Sequence, residues 1–455
     1  MGSAAVVGGD RGSAVATDAG IAARLRREII SRRARIGVVG QGYVGLPLSV
    51  AFGDAGFDVL GFDVDPGVVA AINAGRSHIP DVSAASIEQL VADGFFRATQ
   101  EMAELSQVDA IVICVPTPLS KTRDPNISYV ITAADQVARS LRPGQLVILE
   151  STTYPGTTRD VVLPRLLQSG LRAGEDFFLA FSPERVDPGN ARYGIKNTPK
   201  VVGGLDQRST DLAVLLYQQA IETVVPVSSP EAAEMTKLLE NTFRSVNIAL
   251  ANEVALMSDR LGLNVWEVID AAATKPFGFM PFYPGPGIGG HCIPLDPYYL
   301  SWKMKTLNYR ARFIELAGEI NADMPHYVVG KVVDGLNEFG RSAKGSNVLV
   351  LGVAYKPDID DPRESPAIDV IGLLQQRGVS VTYSDPHIPT IDLFGDTLVS
   401  KPLTADLLAV SDCVVIVTNH RAFDYHLVVR HARLIVDTRN ALRGIPHDGT
   451  VVIPL

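Results

Sequence analysis

The chain has 455 residues, enough for two or three domains with full cores. Hydrophobic content of 46% and charged content of 20% are those of a soluble globular protein, and a formal charge of −9 excludes a general nucleic-acid-binding surface, which needs a basic face. No apolar run reaches the roughly 18–20 residues of a membrane span, and the N-terminus lacks the charged and apolar regions of a secretory signal.

In chain order, residues 1–34 read as a flexible leader over 1 to about 20, rich in Gly, Ala, Ser and Asp, and a short helix over 21–33. That helix sets apolar residues near helical spacing on a basic background, with a membrane-surface contact as the alternative reading. From Arg35 the pattern changes. ARIGVVG (34–40) is a buried strand ending in glycine, VGLPLSVAFGDAG (44–56) a helix with a glycine stop, and DVLGFDVD (58–65) a second strand. VDAIVICVPTP (108–118), QLVILEST (145–152) and FFLAFSPE (177–184) are further strands separated by helix-sized segments. Strands alternating with helices imply an α/β fold with a parallel, doubly wound sheet.

Residues 230–264 form a long helical stretch with no internal proline or glycine before Gly262 and with apolar residues over much of its surface. This is expected as a central spine joining two domains and as a dimer surface. A second alternating series, NVLVLGVAYKPD (347–358), SVTYSDP (380–386), CVVIVTN (413–419) and RLIVDTRN (433–440), implies a second Rossmann-like sheet. The expected domains are 35–225, 226–325 and 326–455.

Gly40-Gln41-Gly42-Tyr43-Val44-Gly45 is a GxGxxG turn after a strand and before a helix, with Asp63 at the end of the next strand. The glycines allow the tight turn, close pyrophosphate approach and helix–strand packing, and the helix N-terminus favours phosphate. A carboxylate at Asp63 takes the ribose hydroxyls and repels a 2′-phosphate, so NAD is expected rather than NADP. Thr117 and Thr152 fall at later strand ends, where open α/β sheets bind ligands. Lys237 and Asn241, spaced i, i+4, share a helix face suited to stabilising an oxyanion. Glu184 ends another strand, and Lys356, Arg363 and Arg439 are loop cations that can meet phosphate or carboxylate.

The most informative segment is FYPGPGIGGHCIPLDP (282–297). Glycine and proline at that density make a tight loop that can approach a ligand and present a thiol, Cys292, with Asp296 four residues on. A thiolate is a strong nucleophile and a good leaving group for carbonyl chemistry. Cys114, Cys292 and Cys413 are widely spaced, so neither a disulfide framework nor a zinc site is expected, and a cytoplasmic location is.

Together GQGYVG, FDVD, VPTP, ESTTYPGTT, SPERVDPG, the Lys237/Asn241 helix, GPGIGGHCIPLDP and YKPDIDDPRES resemble the UDP-glucose/GDP-mannose dehydrogenases from about Arg35 to the C-terminus. The resemblance implies NAD-dependent four-electron oxidation of the C6 hydroxyl of a nucleotide sugar. It implies an N-terminal NAD domain, a helical dimerisation spine and a C-terminal domain holding the nucleoside diphosphate. It makes Cys292 the nucleophile, with Asp296 supporting it. Lys237 and Asn241 become the oxyanion groups, and Thr152 and Glu184 the positions for water and proton transfer. Substrate contacts follow at Glu184, Arg185, Lys237, Asn241, Arg244, Gly289, Lys356 and Arg439. Leu295 stands where UDP-glucose enzymes commonly carry lysine, and Pro188 where a second glutamate is expected. The GGHCIPLDPYYL form resembles instead the branch acting on UDP-N-acetylhexosamines, UDP-GlcNAc before UDP-ManNAc.

Two readings of other classes compete. An epimerase that oxidises the sugar transiently would keep GxGxxG and Asp63 but has no use for Cys292. A non-catalytic nucleotide-binding protein would not need Lys237, Asn241, Cys292 and Asp296 together.

Overall fold

The computed structural model describes residues 11–79, 81–120, 124–187, 190, 192–290, 292–393 and 395–455. Residues 1–10 of the expected leader, and Pro188, lie outside the described residues. Contacts divide the chain into two compact units, Met1–Leu239 and Glu240–Leu455.

The first unit runs α1 (Arg11–Ile30), β1 (Ile36–Val39), α2 (Gly45–Asp54), β2 (Val59–Phe62), α3 (Pro66–Asn73), α4 (Ala84–Ala92), β3 (Phe96–Thr99) and β4 (Ala110–Ile113). It continues with α5 (Ser128–Ser140), β5 (Leu146–Leu149), α6 (Leu163–Leu166), β6 (Phe178–Phe181), β7 (Lys200–Gly204), α7 (Gln207–Tyr217) and β8 (Val224–Val227). The eight strands form one sheet in the order β3-β2-β1-β4-β5-β6-β7-β8.

Strands β1, β4 and β5 are buried at every position because both faces of the sheet are covered. Alternate residues then enter different cores. Ile36, Val38, Ala110, Val112, Leu146 and Ile148 join one cluster. Val39, Ile111, Ile113, Val147 and Leu149 join the other.

Strands β1 to β6 are parallel as expected, but β7 runs antiparallel to β6, with Phe181 opposite Gly203, and β8 runs with β7. The described residues between β6 and β7 contain no helix to carry the chain back across the sheet, so it turns round instead.

Helix α1 starts at Arg11, ten residues before the expected helix, so residues 11–20 are not leader. Ala14, Ala16, Ala19, Ala22 and Ala23 favour the helix, outweighing Gly12 and Gly20. Its Leu25 and Ile29 are buried in the protein core, which commits that apolar face to packing rather than to a membrane surface. Among the described residues no helix is long and apolar enough to cross a membrane.

Helix α8 (Pro230–Leu261) begins in the first unit and continues unbroken into the second. The second unit then holds α9 (Val265–Ala273), α10 (Asp296–Thr306), α11 (Arg312–Glu338), β9 (Asn347–Leu351), α12 (Pro366–Gln376), β10 (Ser380–Ser384), β11 (Thr390–Leu393) and β12 (Asp396–Val399). It ends with α13 (Ala405–Val410), β13 (Cys413–Ile416), α14 (Tyr425–His431), β14 (Leu434–Asp437) and β15 (Val451–Pro454). In a five-stranded, wholly parallel sheet of order β10-β9-β13-β14-β15 the strand order reverses between β9 and β13, the crevice where such sheets hold ligands. Strands β11 and β12 form a separate antiparallel hairpin.

Candidate active site

In the first unit the GQGYVG turn joins β1 to α2. A Cβ on Gly40 (φ +91°) would sit 2.6 Å from the Cys114 carbonyl oxygen, and one on Gly45 would sit 1.8 Å from the Gly40 oxygen. The chain itself therefore demands both glycines. A Cβ on Gly42 would meet nothing within 4 Å, so the middle glycine faces open space that a side chain would fill. No side chain caps the N-terminus of α2 at Val44, and Tyr43 is exposed beside it. Asp63, at the end of β2, accepts from the Gln41 N–H at 2.8 Å and the Asp65 N–H at 3.0 Å.

Gln41, within the motif but unread as functional, is fully buried. It donates to the Val38 carbonyl at 2.8 Å and accepts from the Ser49 hydroxyl at 3.0 Å, locking the turn to β1. These features fit a dinucleotide: a cradle opened by Gly42, an uncapped helix end for phosphate, and a carboxylate at the second strand end. Thr117 is half-buried in the loop after β4.

Beyond β5, Thr152 accepts a 2.6 Å hydrogen bond from the Lys237 ammonium. An ammonium has no acceptor, so the bond runs from Lys237 to Thr152 and leaves the Thr152 O–H to donate elsewhere. The loop that follows is clamped by Glu234, one turn earlier on α8. Its carboxylate accepts from Gly156 N–H (2.6 Å), Thr158 N–H (2.8 Å) and the Thr158 hydroxyl (2.7 Å). Burial nevertheless pushes Glu234 up to about 7.

Glu184, after β6, accepts from the N–H groups of Arg185 (2.8 Å) and Val186 (2.6 Å) through one oxygen, and its other oxygen lies 3.4 Å from Lys200 Nζ. Lys200 is also bound to Glu150, whose second oxygen accepts from the Tyr217 hydroxyl at 2.5 Å. Burial raises Glu184, but Lys200, the Val186 N–H and the Lys237 charge outweigh it and hold the carboxyl below its ordinary value. Burial pushes Glu150 up to about 7. The Arg185 guanidinium donates to the Pro199 carbonyl at 2.6 Å.

The sequence reading missed Glu150 and Lys200. One signal was present: a charged residue directly after the wholly apolar run LVIL.

In the second unit Cys292 is exposed and opens the turn into α10, its carbonyl accepting from the N–H groups of Leu295 (3.2 Å) and Asp296 (2.8 Å). Asp296, the first residue of α10 and 3% exposed, accepts from the Asn241 carboxamide at 2.6 Å.

The loop ahead of Cys292 is anchored by Asn252, fully buried on α8 and also missed in the sequence. Its oxygen accepts from Gly285 N–H at 2.9 Å, while its amide donates to Asn321 at 2.9 Å. The loop glycines face protein. A Cβ on Gly285 would lie 2.4 Å from Arg439 Nη1, and one on Gly289 would lie 2.7 Å from both Tyr355 Cβ and the Glu364 oxygen. Gly289 is thus required by packing against the loops after β9, a reason the motif alone did not reveal.

Arg439, after β14, donates to the Val417 carbonyl at 2.8 Å, and burial pulls it down to about 10, still fully charged at neutral pH. Lys356 is half-buried in the loop after β9, and Arg363 pairs with Asp361 through two nitrogens. Arg244 is exposed on α8.

Three family profiles match the chain in order. They are the UDP-glucose/GDP-mannose dehydrogenase family NAD binding domain at residues 34–221, its central domain at 231–323 and its UDP binding domain at 349–444. The UDP-N-acetyl-D-mannosamine dehydrogenase of Pyrococcus horikoshii is 36% identical over 422 residues, covering 90% of this chain and 97% of the relative. The UDP-N-acetyl-D-glucosamine 6-dehydrogenase of Pseudomonas aeruginosa is 35% identical, covering 81% and 87%. Among solved structures, UDP-D-ManNAc dehydrogenase from Pyrococcus horikoshii superposes with a TM-score of 0.84 at 33% identity, covering 92% of this chain and 98% of that one.

Proposed function

The chain belongs to the UDP-glucose/GDP-mannose dehydrogenase family of NAD-dependent nucleotide-sugar dehydrogenases, and from that premise we propose that it oxidises the C6 hydroxyl of a UDP-N-acetylhexosamine to the uronate. The observation that carries this reading is Cys292, an exposed thiol opening the turn into α10, next to an Asp296 fixed by Asn241. UDP-GlcNAc is the substrate favoured by Leu295 and the GGHCIPLDPYYL form. The mannosamine relative, matched over 97% of its length, makes UDP-ManNAc the second reading. We assign NAD to residues 35–225, the spine and thiol loop to 226–325, and the UDP moiety to 326–455.

NAD held on the Gly42 cradle supplies the hydride acceptor for both oxidations. Thr152, oriented by Lys237, positions the C6 hydroxyl and, with Glu184, passes its proton to water. The resulting aldehyde stays bound and Cys292 adds to it, forming a C–S bond and a thiohemiacetal. Lys237 and Asn241 stabilise the alkoxide of that adduct, from which the second hydride departs to leave a thioester. A bare aldehyde has no such oxyanion, which is why the thiol is needed. Water then attacks the thioester carbonyl, the C–S bond breaks, and Glu184 takes the proton while the Cys292 thiolate leaves. Arg439 and Lys356 balance the diphosphate charge, and Arg185 and Arg244 contact the sugar.

Homodimerisation through α8 is part of the proposal. Met235, Leu239, Phe243, Leu250, Met257 and Leu261 are all exposed, and their spacing places them in one stripe of the helix. The reaction is assigned to the cytoplasm, where reduced cysteines persist.

Cys292→Ser tests the account. The substitution is expected to slow uronate formation severely and, with sugar and NAD supplied, to accumulate an ester adduct on the protein visible by intact mass. Uronate formation at a near-normal rate would remove the thioester.

A further inference from the structure

We propose that Lys200, held in place by Glu150 and Tyr217, is a positioning residue that fixes the second oxygen of Glu184, the proton acceptor for thioester hydrolysis. The proposal rests on the reading of Glu184 given above and assigns the residues behind it.

The topology puts Lys200 there. Because β7 runs against β6, its first residue lies beyond the carboxyl end of β6, beside Glu184 and next to the residue that follows β5. A seventh strand running parallel would have sent this ammonium to the far edge of the sheet.

The geometry leaves Lys200 a specific task. One oxygen of Glu184 is taken by two backbone N–H groups, and the ammonium of Lys200 lies 3.4 Å from the other, with the Glu150 carboxyl as a second side chain interacting with Glu184. Lys200 in turn cannot swing. It is bound to Glu150, lies 5.2 Å above the Tyr217 ring, and is 5% exposed, with Glu150 at 0% and Glu184 at 11%. A buried ammonium between two carboxylates has no water to lean on, so its position is set by its partners.

The charges around Glu184 come from every neighbouring element. Lys200 on β7 and Lys237 on α8 favour its ionised form. Glu150 after β5 is the competing acid, the Cys114 thiol after β4 and the Tyr217 phenol on α7 are both pushed up by burial and stay neutral, and Arg185 is turned to the Pro199 carbonyl. The environment drives the two acids apart: Glu150 up to about 7, Glu184 below its ordinary value. The first proton to enter the cluster therefore goes to Glu150, and Glu184 remains a base. Pairs of carboxyls split in this way are how one site assigns proton-holding and proton-accepting roles.

In the step concerned, water adds to the thioester carbonyl, its proton passes to Glu184 and the C–S bond breaks to release the Cys292 thiolate. Lys200 changes neither bond. It sets where the accepting oxygen points and how low in pH it still accepts.

The experiment is a pH–rate profile of uronate formation by the full-length enzyme, paired with a ¹³C carboxyl titration of Glu184 assigned by loss of its signal in Glu184→Gln. Lys200→Met is expected to move both the acid limb and the Glu184 titration upward by about one pH unit or more. Lys200→Arg is expected to restore both. Glu150→Gln, which mimics the protonated acid, should leave both at or below the wild-type position. Should Lys200→Met alone fail to fold, the charge-matched Lys200→Met/Glu150→Gln protein takes its place with the same upward shift expected.

An unmoved Glu184 titration in the Lys200 variants overturns the positioning role, whatever happens to the rate, since a merely structural lysine would lower the rate without shifting it. Uronate formation at the wild-type rate by Glu184→Gln overturns instead the reading of Glu184 on which the proposal rests.

Discussion

The Asn241 carboxamide holds Asp296 through a 2.6 Å hydrogen bond, so the acid four residues beyond Cys292 is tied by its side chain to α8 and by its backbone N–H to the Cys292 carbonyl. Asp296 is 3% exposed, and a carboxylate buried that deeply needs such a partner. The same bond occupies one of the two carboxamide N–H groups of Asn241, and the other is the one that the proposed mechanism assigns to the oxyanion.

Asp296→Asn separates charge from structure at this point. The Asn241 bond survives onto an amide oxygen, so the melting transition should shift by no more than about 1 kcal/mol in stability. If the carboxylate supports the thiolate or its water, uronate formation falls by on the order of 10²-fold. Thermal unfolding and NADH release measured on the same preparation check both halves.

The glycines of the GQGYVG turn make opposite predictions. Gly45→Ala drives a Cβ to 1.8 Å from a backbone oxygen and should cripple folding. Gly42→Ala meets nothing within 4 Å of the protein and should fold normally. Its methyl occupies the cradle instead, so NAD affinity should drop by roughly tenfold or more, about 1.4 kcal/mol. Unfolding curves and NAD titration distinguish the two effects.

Glu234 gives the protein a pH-dependent stability term. Burial lifts it from 4.5 to about 7 in the fold. Between those values the folded state holds a proton that the unfolded chain has released, so stability falls as pH rises through this window. Glu234→Gln removes the titration at the cost of a fixed offset in hydrogen bonding. The stability advantage of the wild type over Glu234→Gln should therefore shrink from pH 5 to pH 7.5, by on the order of 1–3 kcal/mol, in urea unfolding at each pH.

The exposed stripe on α8 predicts self-association. Leu239→Lys together with Leu250→Lys places charges within it, and light scattering should then report a dimer for the wild type and a monomer for the variant. An unchanged mass would place the dimer contact elsewhere.

How much of this was legible in the sequence follows from how each element is stabilised. Strands buried on both faces, such as β1, β4 and β5, announce themselves as unbroken apolar runs. Strands β7 and β8 did not: one ends in two glycines, and the other lies at the sheet edge, partly exposed, where Pro226 is tolerated. The glycine turn, the thiol loop and the Lys237/Asn241 pair were readable because their chemistry lies within a few residues.

The pairing of Lys200 with Glu150 was not readable, since they lie 50 residues apart and meet only because a strand reverses. Gln41, Glu234 and Asn252 were hidden for a related reason. Each is a buried polar side chain that ties a turn or loop to a neighbouring element, and no residue pattern marks which groups a buried amide or acid will hold.

The most direct test of the central claim is the number of NADH released per nucleotide sugar consumed, with UDP-GlcNAc, UDP-ManNAc and UDP-glucose run side by side. Two NADH per acetamido sugar, UDP-GlcNAc or UDP-ManNAc, with UDP-glucose poorly used, is the predicted result. One NADH per sugar with all three would contradict the thioester route through Cys292, and two with UDP-glucose alone would contradict the acetamido assignment.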